Sequence, residues 1–292
     1  TYILNRILEN INIMTYNFKL IYPEDMPAMS VRDLLRKLLL PRKWQHLLRT
    51  KKQVTVNGHY RYFNQLVKAN DEVCFKLDFV DSQQQSYPAS GHLPQIIFED
   101  SNVLVINKRK GQKTHPNLFE TDTALNDCAT YLGQSPYIVH RLDMLTGGLL
   151  LVAKNPAVVP ILNRQLTQKI FHREYLAQVN LNAALPDHGT ISFPIGKDPD
   201  DQRKRMVRSD GLKATTHYQI LKKENEIALV KLQLETGRTH QIRVHLATIG
   251  CPIVGDPLYN PDYKEGQDLQ LTAYQMSFIE PFSFKKQTIR LF

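Results

Sequence analysis

Cysteine is scarce in this chain: 292 residues hold three, Cys74, Cys128 and Cys251, an odd number with no paired spacing. That argues against a zinc ribbon or a disulfide framework. With no secretory leader at the start, we expect a protein of the reducing cytoplasm. No apolar run approaches the ~18 residues of a membrane span, so no membrane partner is expected. Internal repeats are missing, and so are the Gly-rich loop and Asp-Phe-Gly that a kinase needs. Asp198-Pro199-Asp200-Asp201 lacks the glycine and glutamate of a calcium loop. His240 and His245 are five apart, off the one-face spacing of a zinc-protease helix. We expect no metal and no cofactor.

Positive charge is present in excess. The formal net charge is +9, a bias that favours nucleic acid over a small neutral substrate. From Ser30 to Phe79, eleven Lys or Arg face four Asp or Glu. Within this block Ser30 can cap a helix through Val31, Leu34, Leu35, Leu38 and Leu39 that Pro41 ends. A second helix runs through Trp44, Leu47 and Leu48. Gln53 to Gly58 reads as a strand entering a hairpin turn, and Val67 to Val73 as a turn into a strand. Arg42, Lys43, Arg49, Lys51 and Lys52 are its candidate phosphate contacts. A small basic domain with some other partner is the plainer reading.

Asp81 to Leu93 (DSQQQSYPASGHL) is polar and aperiodic, a linker expected to let the parts on either side reorient. We therefore place a basic domain at 14–80 and a larger one at 94–292. Thr1 to Ile13, with apolar spacing at Ile3, Leu4, Ile7, Leu8 and Ile11, is a candidate upstream extension. The Asp198–Asp201 run, followed by Arg203, Lys204 and Arg205, reads either as a mobile basic loop against nucleic acid or as a solvated loop.

Two stretches carry chemistry. Tyr137 to Lys154 reads YIVHRLDMLTGGLLLVAK. An apolar strand delivers His140, Arg141 and Asp143 into a short loop, Gly147-Gly148 permit a sharp turn, and Leu149 to Ala153 suits a strand buried on both faces. A lone Asp in such a place most often caps a turn or pairs with a nearby Arg. Glu235 to Tyr259 reads ETGRTHQIRVHLATIGCPIVGDPLY. Thr236-Gly237 is a turn after the strand Ile227 to Leu234, and Thr239 can cap a helix that ends at Gly250. On it, Ile242, Leu246 and Ile249 form a core stripe, while His240, Arg243 and Ala247 form another facing a groove. Arg238, His240, Arg243 and His245 fall within eight residues, which favours an anionic ligand over two solvated basic residues.

Together these stretches resemble the RluA-type pseudouridine synthases, which isomerise uridine in structured RNA. The resemblance extends to His115-Pro116-Asn117, HREYLAQV near Phe171 to Val179, ATTHYQIL at Ala214 to Leu221, and LTAYQMSFIEP near the end, in order over about two hundred residues. It implies a catalytic Asp143, a base-displacing Arg141 and an active-site Tyr175. It further implies an Arg243 paired with the catalytic carboxylate and an Ile242 packed on the uracil. His140, Thr146, Arg173, Arg238 and His240 would be base-flipping or RNA contacts. The family usually has Ser where this chain has Gly147, and often Lys where it has Arg173, which puts loop rigidity and one contact in doubt. The basic block resembles an S-four-like RNA-binding module, although Pro41-Arg42-Lys43 replaces the usual Ser-Arg helix start.

The implied fold is α+β: a mixed, largely antiparallel sheet with flanking helices and a cleft across its middle, preceded by a small α+β module. The implied reaction breaks the ribose–uracil nitrogen bond, turns the base and rejoins it through carbon. Asp143, ionised beside Arg243, serves as nucleophile or as the base of an elimination route. Tyr175 can stack on uracil and offer its hydroxyl for proton transfer. The expected partner is ribosomal RNA, with transfer RNA the alternative, acted on by a monomer. An inactive RNA-binding relative and an unrelated hydrolase are the competing classes.

Overall fold

The computed structural model describes residues 14–81 and 86–292; the amphipathic stretch at 1–13 lies outside them. In the basic block β1 (Tyr16–Ile21), β2 (Met29–Ser30), α1 (Val31–Lys37), α2 (Arg42–Thr50), β3 (Val54–Val56), β4 (His59–Tyr60), β5 (Leu66–Val67) and β6 (Glu72–Leu77) follow in order. Ser30 Oγ accepts the Asp33 amide at 3.1 Å, the expected cap. The helix stops at Lys37, earlier than expected, because Leu39 turns left-handed at φ 62; Pro41 instead begins α2. Asn57 and Gly58, at φ 52 and 82, close the β3–β4 hairpin, the geometry that Asn-Gly tolerates.

The rest contributes β7 (Gln95–Glu99), β8 (Val103–Lys108), α3 (Ala124–Leu132), β9 (Tyr137–Ile138), β10 (Gly147–Ala153), α4 (Val159–Thr167), β11 (His172–Asn180), β12 (His188–Ile191), β13 (Ile195–Lys197), β14 (Arg205–Val207), β15 (Thr216–Glu224), β16 (Ile227–Leu234), α5 (Gln241–Thr248), β17 (Leu271–Ile279) and β18 (Lys286–Arg290). One sheet runs β12-β15-β16-β11-β17-β10-β8-β7, with β18 on β17 and β9 on β10. Its only parallel junction among the described residues is β10 with β17; the sheet is otherwise antiparallel, as expected for this α+β fold.

β10 is buried at every position, and its period of two divides the core. Leu149, Leu151 and Ala153 join one hydrophobic cluster with α4, while Leu150 and Val152 join another with α3, β11, β16 and α5. Gly147 and Gly148 do not form the expected turn; they open β10. At Gly148, with φ 108, a Cβ would collide with the Ala273 carbonyl oxygen, so glycine is what lets β10 close on β17.

Two organisational expectations need correction. The basic block is not free to reorient: Phe18 stacks on Phe282 at 3.8 Å between ring centroids, Tyr22 meets Phe284 edge-on, and Arg164 donates to the Leu40 carbonyl at 3.0 Å. Leu34, Leu48 and Phe75 share a cluster with Leu149, Ile161 and Phe278. Nor does the second half of Asp81–Leu93 hang loose. Tyr87 is buried, its amide donates to Ser135 Oγ at 2.8 Å, and Ser90 Oγ donates to Asp127 at 2.7 Å.

Candidate active site

β9 and β10 flank a loop that the chain fixes at several points. Thr114 Oγ1 donates to the Leu142 carbonyl at 2.7 Å and accepts the Leu142 amide at 3.1 Å. The Lys108 ammonium, almost fully buried, donates to the carbonyls of Gln112 at 2.6 Å, Arg109 at 3.0 Å and Met144 at 3.2 Å. Burial brings its pKa down to about 8, opposed by Asp143. The loop therefore buries Leu142 and leaves Asp143 half-buried and Arg141 exposed.

β11 supplies the facing wall. Its register against β17 shifts between Glu174 and Tyr175, an irregularity that re-aims local side chains. Tyr175 is 5% exposed, and burial raises its pKa, keeping the hydroxyl protonated at neutral pH. Leu166, Lys169 and the 234–239 turn form the rim. A cavity of about 530 Å³ results, lined among others by Arg141, Asp143, Thr146, Arg173, Tyr175, Arg238, Ile242 and Arg243. Ile242 is both buried core and cavity wall, so its two expected roles coincide.

Several expectations fail in detail. Arg243 is bound by Asp256, with Nε–Oδ2 at 2.8 Å and Nη2–Oδ1 at 2.7 Å, both side chains buried. Burial opposes the Arg243 charge, but Asp256, Asp143 and Tyr259 together outweigh it and raise its pKa. No cationic nitrogen among the described residues lies within 4.0 Å of the Asp143 carboxylate. Thr239 does not cap α5. His240 stands there at φ 58, and the Gln241 side chain accepts from the Arg238 amide and Thr236 Oγ1 instead.

The cluster of four basic groups also dissolves. His245 is a core histidine between Thr216 Oγ1 and the Phe193 carbonyl, each at 2.9 Å. His240 is not in the cavity wall; its Nδ1 lies 2.8 Å from the Tyr259 hydroxyl. The α5 face assigned to a groove is thus mostly interior. His140 does border the cavity, but it is 7% exposed and accepts the Leu151 amide at 3.0 Å. Burial brings its pKa down to about 3, so it is neutral and cannot hold a phosphate by charge. Arg173 keeps a buried Nε without a partner, and Arg238 donates to the Lys213 carbonyl at the rim.

In the basic block Arg42, Lys43 and Arg49 are exposed on α2, whereas Lys51 is paired with Asp78 at 2.8 Å and Lys52 lies over Tyr60. The Asp198 run closes the β13–β14 hairpin, with Arg203 held by Asp201 at 2.7 Å. Asp256, Tyr259, Lys108 and Thr114 were missed from sequence. Gly255-Asp256-Pro257 sat inside the quoted motif, but nothing in its spacing tied it to Arg243.

Known proteins resemble this chain in sequence and fold. The family described as RNA pseudouridylate synthase matches residues 102–248, and the RluD ribosomal pseudouridine synthase N-terminal domain matches 18–73. An uncharacterised RNA pseudouridine synthase of Bacillus subtilis is 39% identical over 218 residues, 72% of this chain and 71% of that protein. Ribosomal large subunit pseudouridine synthase D of Xanthomonas campestris is 40% identical over 214 residues, 71% of this chain and 63% of its own length. The solved human RNA pseudouridylate synthase domain containing 1 matches with TM-score 0.59 over 70% of this chain and 84% of its own. At 24% identity that likeness speaks to the fold.

Proposed function

Since the chain belongs to the RNA pseudouridylate synthase family, we propose that it isomerises specific uridines of large-subunit ribosomal RNA, with Asp143 as the essential carboxylate. The observation that carries this reading is the single cavity lined by Arg141, Asp143, Tyr175, Ile242 and Arg243. Asp143 acts on the ribose or as base while the uracil detaches. Arg141, exposed at the mouth, fills the gap that the extruded base leaves, which offsets part of the few kcal/mol that flipping costs. Tyr175, kept protonated by burial, stacks on the base and supplies a proton donor. Ile242 is its apolar floor. Arg243, held rigid by Asp256, provides a fixed positive charge near Asp143 without occupying the carboxylate.

Arg173 and Arg238 contact RNA at the rim, with Thr146 in the wall of the pocket. Arg42, Lys43 and Arg49 supply phosphate contacts on the basic domain at 14–80. The ribosomal target is supported by the Xanthomonas relative, which is named as a large-subunit ribosomal pseudouridine synthase, and by the N-terminal domain match. Incubating the protein with unmodified ribosomal and transfer RNA transcripts tritiated at uracil carbon five tests this. Release from the large-subunit transcript is expected. Release from transfer RNA alone would reassign the substrate, and release from neither would leave a binding relative.

A further inference from the structure

Leu118 and Phe119 are 90% and 94% exposed, the two most exposed large apolar side chains among the described residues, and they are adjacent. They crown the loop between β8 and α3. Its turn is built: Glu120 accepts the Asn117 amide at 2.9 Å and returns its own amide to the Asn117 carbonyl at 2.9 Å. Leu118 takes φ 37. Of the loop's carboxylates, Glu120 pairs with Lys113, and Asp122, largely exposed, lies 3.7 Å from Arg109. The tip offers no side-chain charge and no side-chain hydrogen-bonding group.

The foot of this loop is the latch on the catalytic loop. Buried Thr114 holds Leu142, the residue between Arg141 and Asp143, through both its amide and its carbonyl. His115 feels the Arg141 charge. Leu118 and Phe119 are four and five residues beyond Thr114, so the tip lies within roughly 14–18 Å of that latch, a span of a few nucleotides. From this geometry we propose that Leu118 and Phe119 form an apolar prong that stacks on an unpaired base flanking the uridine engaged by Arg141. The occupant is RNA, because the prong is tied to the exposed guanidinium of a site that handles a nucleotide, and an aromatic face suits any base. The inference rests on the RNA-isomerase reading.

The test uses the full chain and an unmodified large-subunit ribosomal RNA transcript, comparing Phe119→Ser, Leu118→Ser and Phe119→Trp with wild type. Because both positions are nearly fully exposed, melting temperatures should be unchanged. Phe119→Ser should raise Kd about tenfold, as expected for a lost base stack, with kcat at saturating RNA within twofold. Log Kd against log salt should keep its slope, since no phosphate contact is lost. Phe119→Trp should bind as wild type, and Leu118→Ser should show a smaller loss. Unchanged binding in Phe119→Ser, or a loss accompanied by a shallower salt slope, would overturn the prong while leaving the isomerase reading intact. Wild-type protein that neither binds nor modifies the transcript would overturn that reading itself.

Discussion

Arg243 illustrates what one residue's surroundings decide. Its carboxylate partner is Asp256, thirteen residues on and across the helix end, with both groups out of solvent. Arg243→Ala leaves Asp256 buried and uncompensated, which costs on the order of 3–5 kcal/mol. We expect a markedly lower melting temperature as well as lost turnover; a stable, active variant would show that this pair holds nothing in place. His140 makes a pH prediction. Its folded pKa of about 3 lies below the ordinary histidine value, so between the two the unfolded chain binds a proton that the folded chain does not. Stability from this group is complete above about pH 6.5 and drains away as pH falls toward 3, by an amount on the order of a few kcal/mol. Melting curves for wild type and His140→Asn should converge or cross as the solution is acidified. Parallel curves would mean the imidazole is solvated. Sequence could name both residues but not their partners, because a buried pair across a turn has no periodicity.

At the scale of elements, β10 was legible because five successive apolar residues following two glycines admit little else, and the strand Ile227 to Leu234 emerged with the expected bounds. The Asn-Gly hairpin was equally plain. What spacing misjudged was α5, read as amphipathic although its Gln241 to Leu246 stretch is entirely buried. Polar residues there are satisfied by tertiary partners, which hydrophobic periodicity does not see. Gly148 gives this scale its prediction. Adding a methyl group at φ 108 against the Ala273 carbonyl forces β10 from β17, at a cost of about 1–3 kcal/mol or more. Gly148→Ala should lower the melting temperature and slow turnover, because the same junction anchors the loop carrying Asp143. Calorimetry that finds no loss would mean the sheet yields at little cost.

For the whole molecule, the docking of the basic domain was the least legible feature. Phe18 and Phe282 stack across most of the chain's length, and contacts so remote leave no local pattern. Removing residues 1–90 therefore exposes Phe282, Phe284 and their neighbours rather than cutting a loose tether. The truncated protein should be destabilised and prone to aggregate. A monomeric fragment with wild-type thermal stability would contradict the shared core. Milder charge removal keeps the fold: Ala at Arg42, Lys43 and Arg49 together should weaken RNA binding and flatten its salt dependence. An unchanged slope would place RNA elsewhere.

The central claim is that Asp143 performs the isomerisation within this one cavity, and tritium release from carbon-five-labelled ribosomal RNA tests it most directly. Wild type should release tritium. Asp143→Asn, which keeps the shape of the side chain, should bind RNA within a few-fold of wild type and release none. Turnover by Asp143→Asn near the wild-type rate would contradict the account.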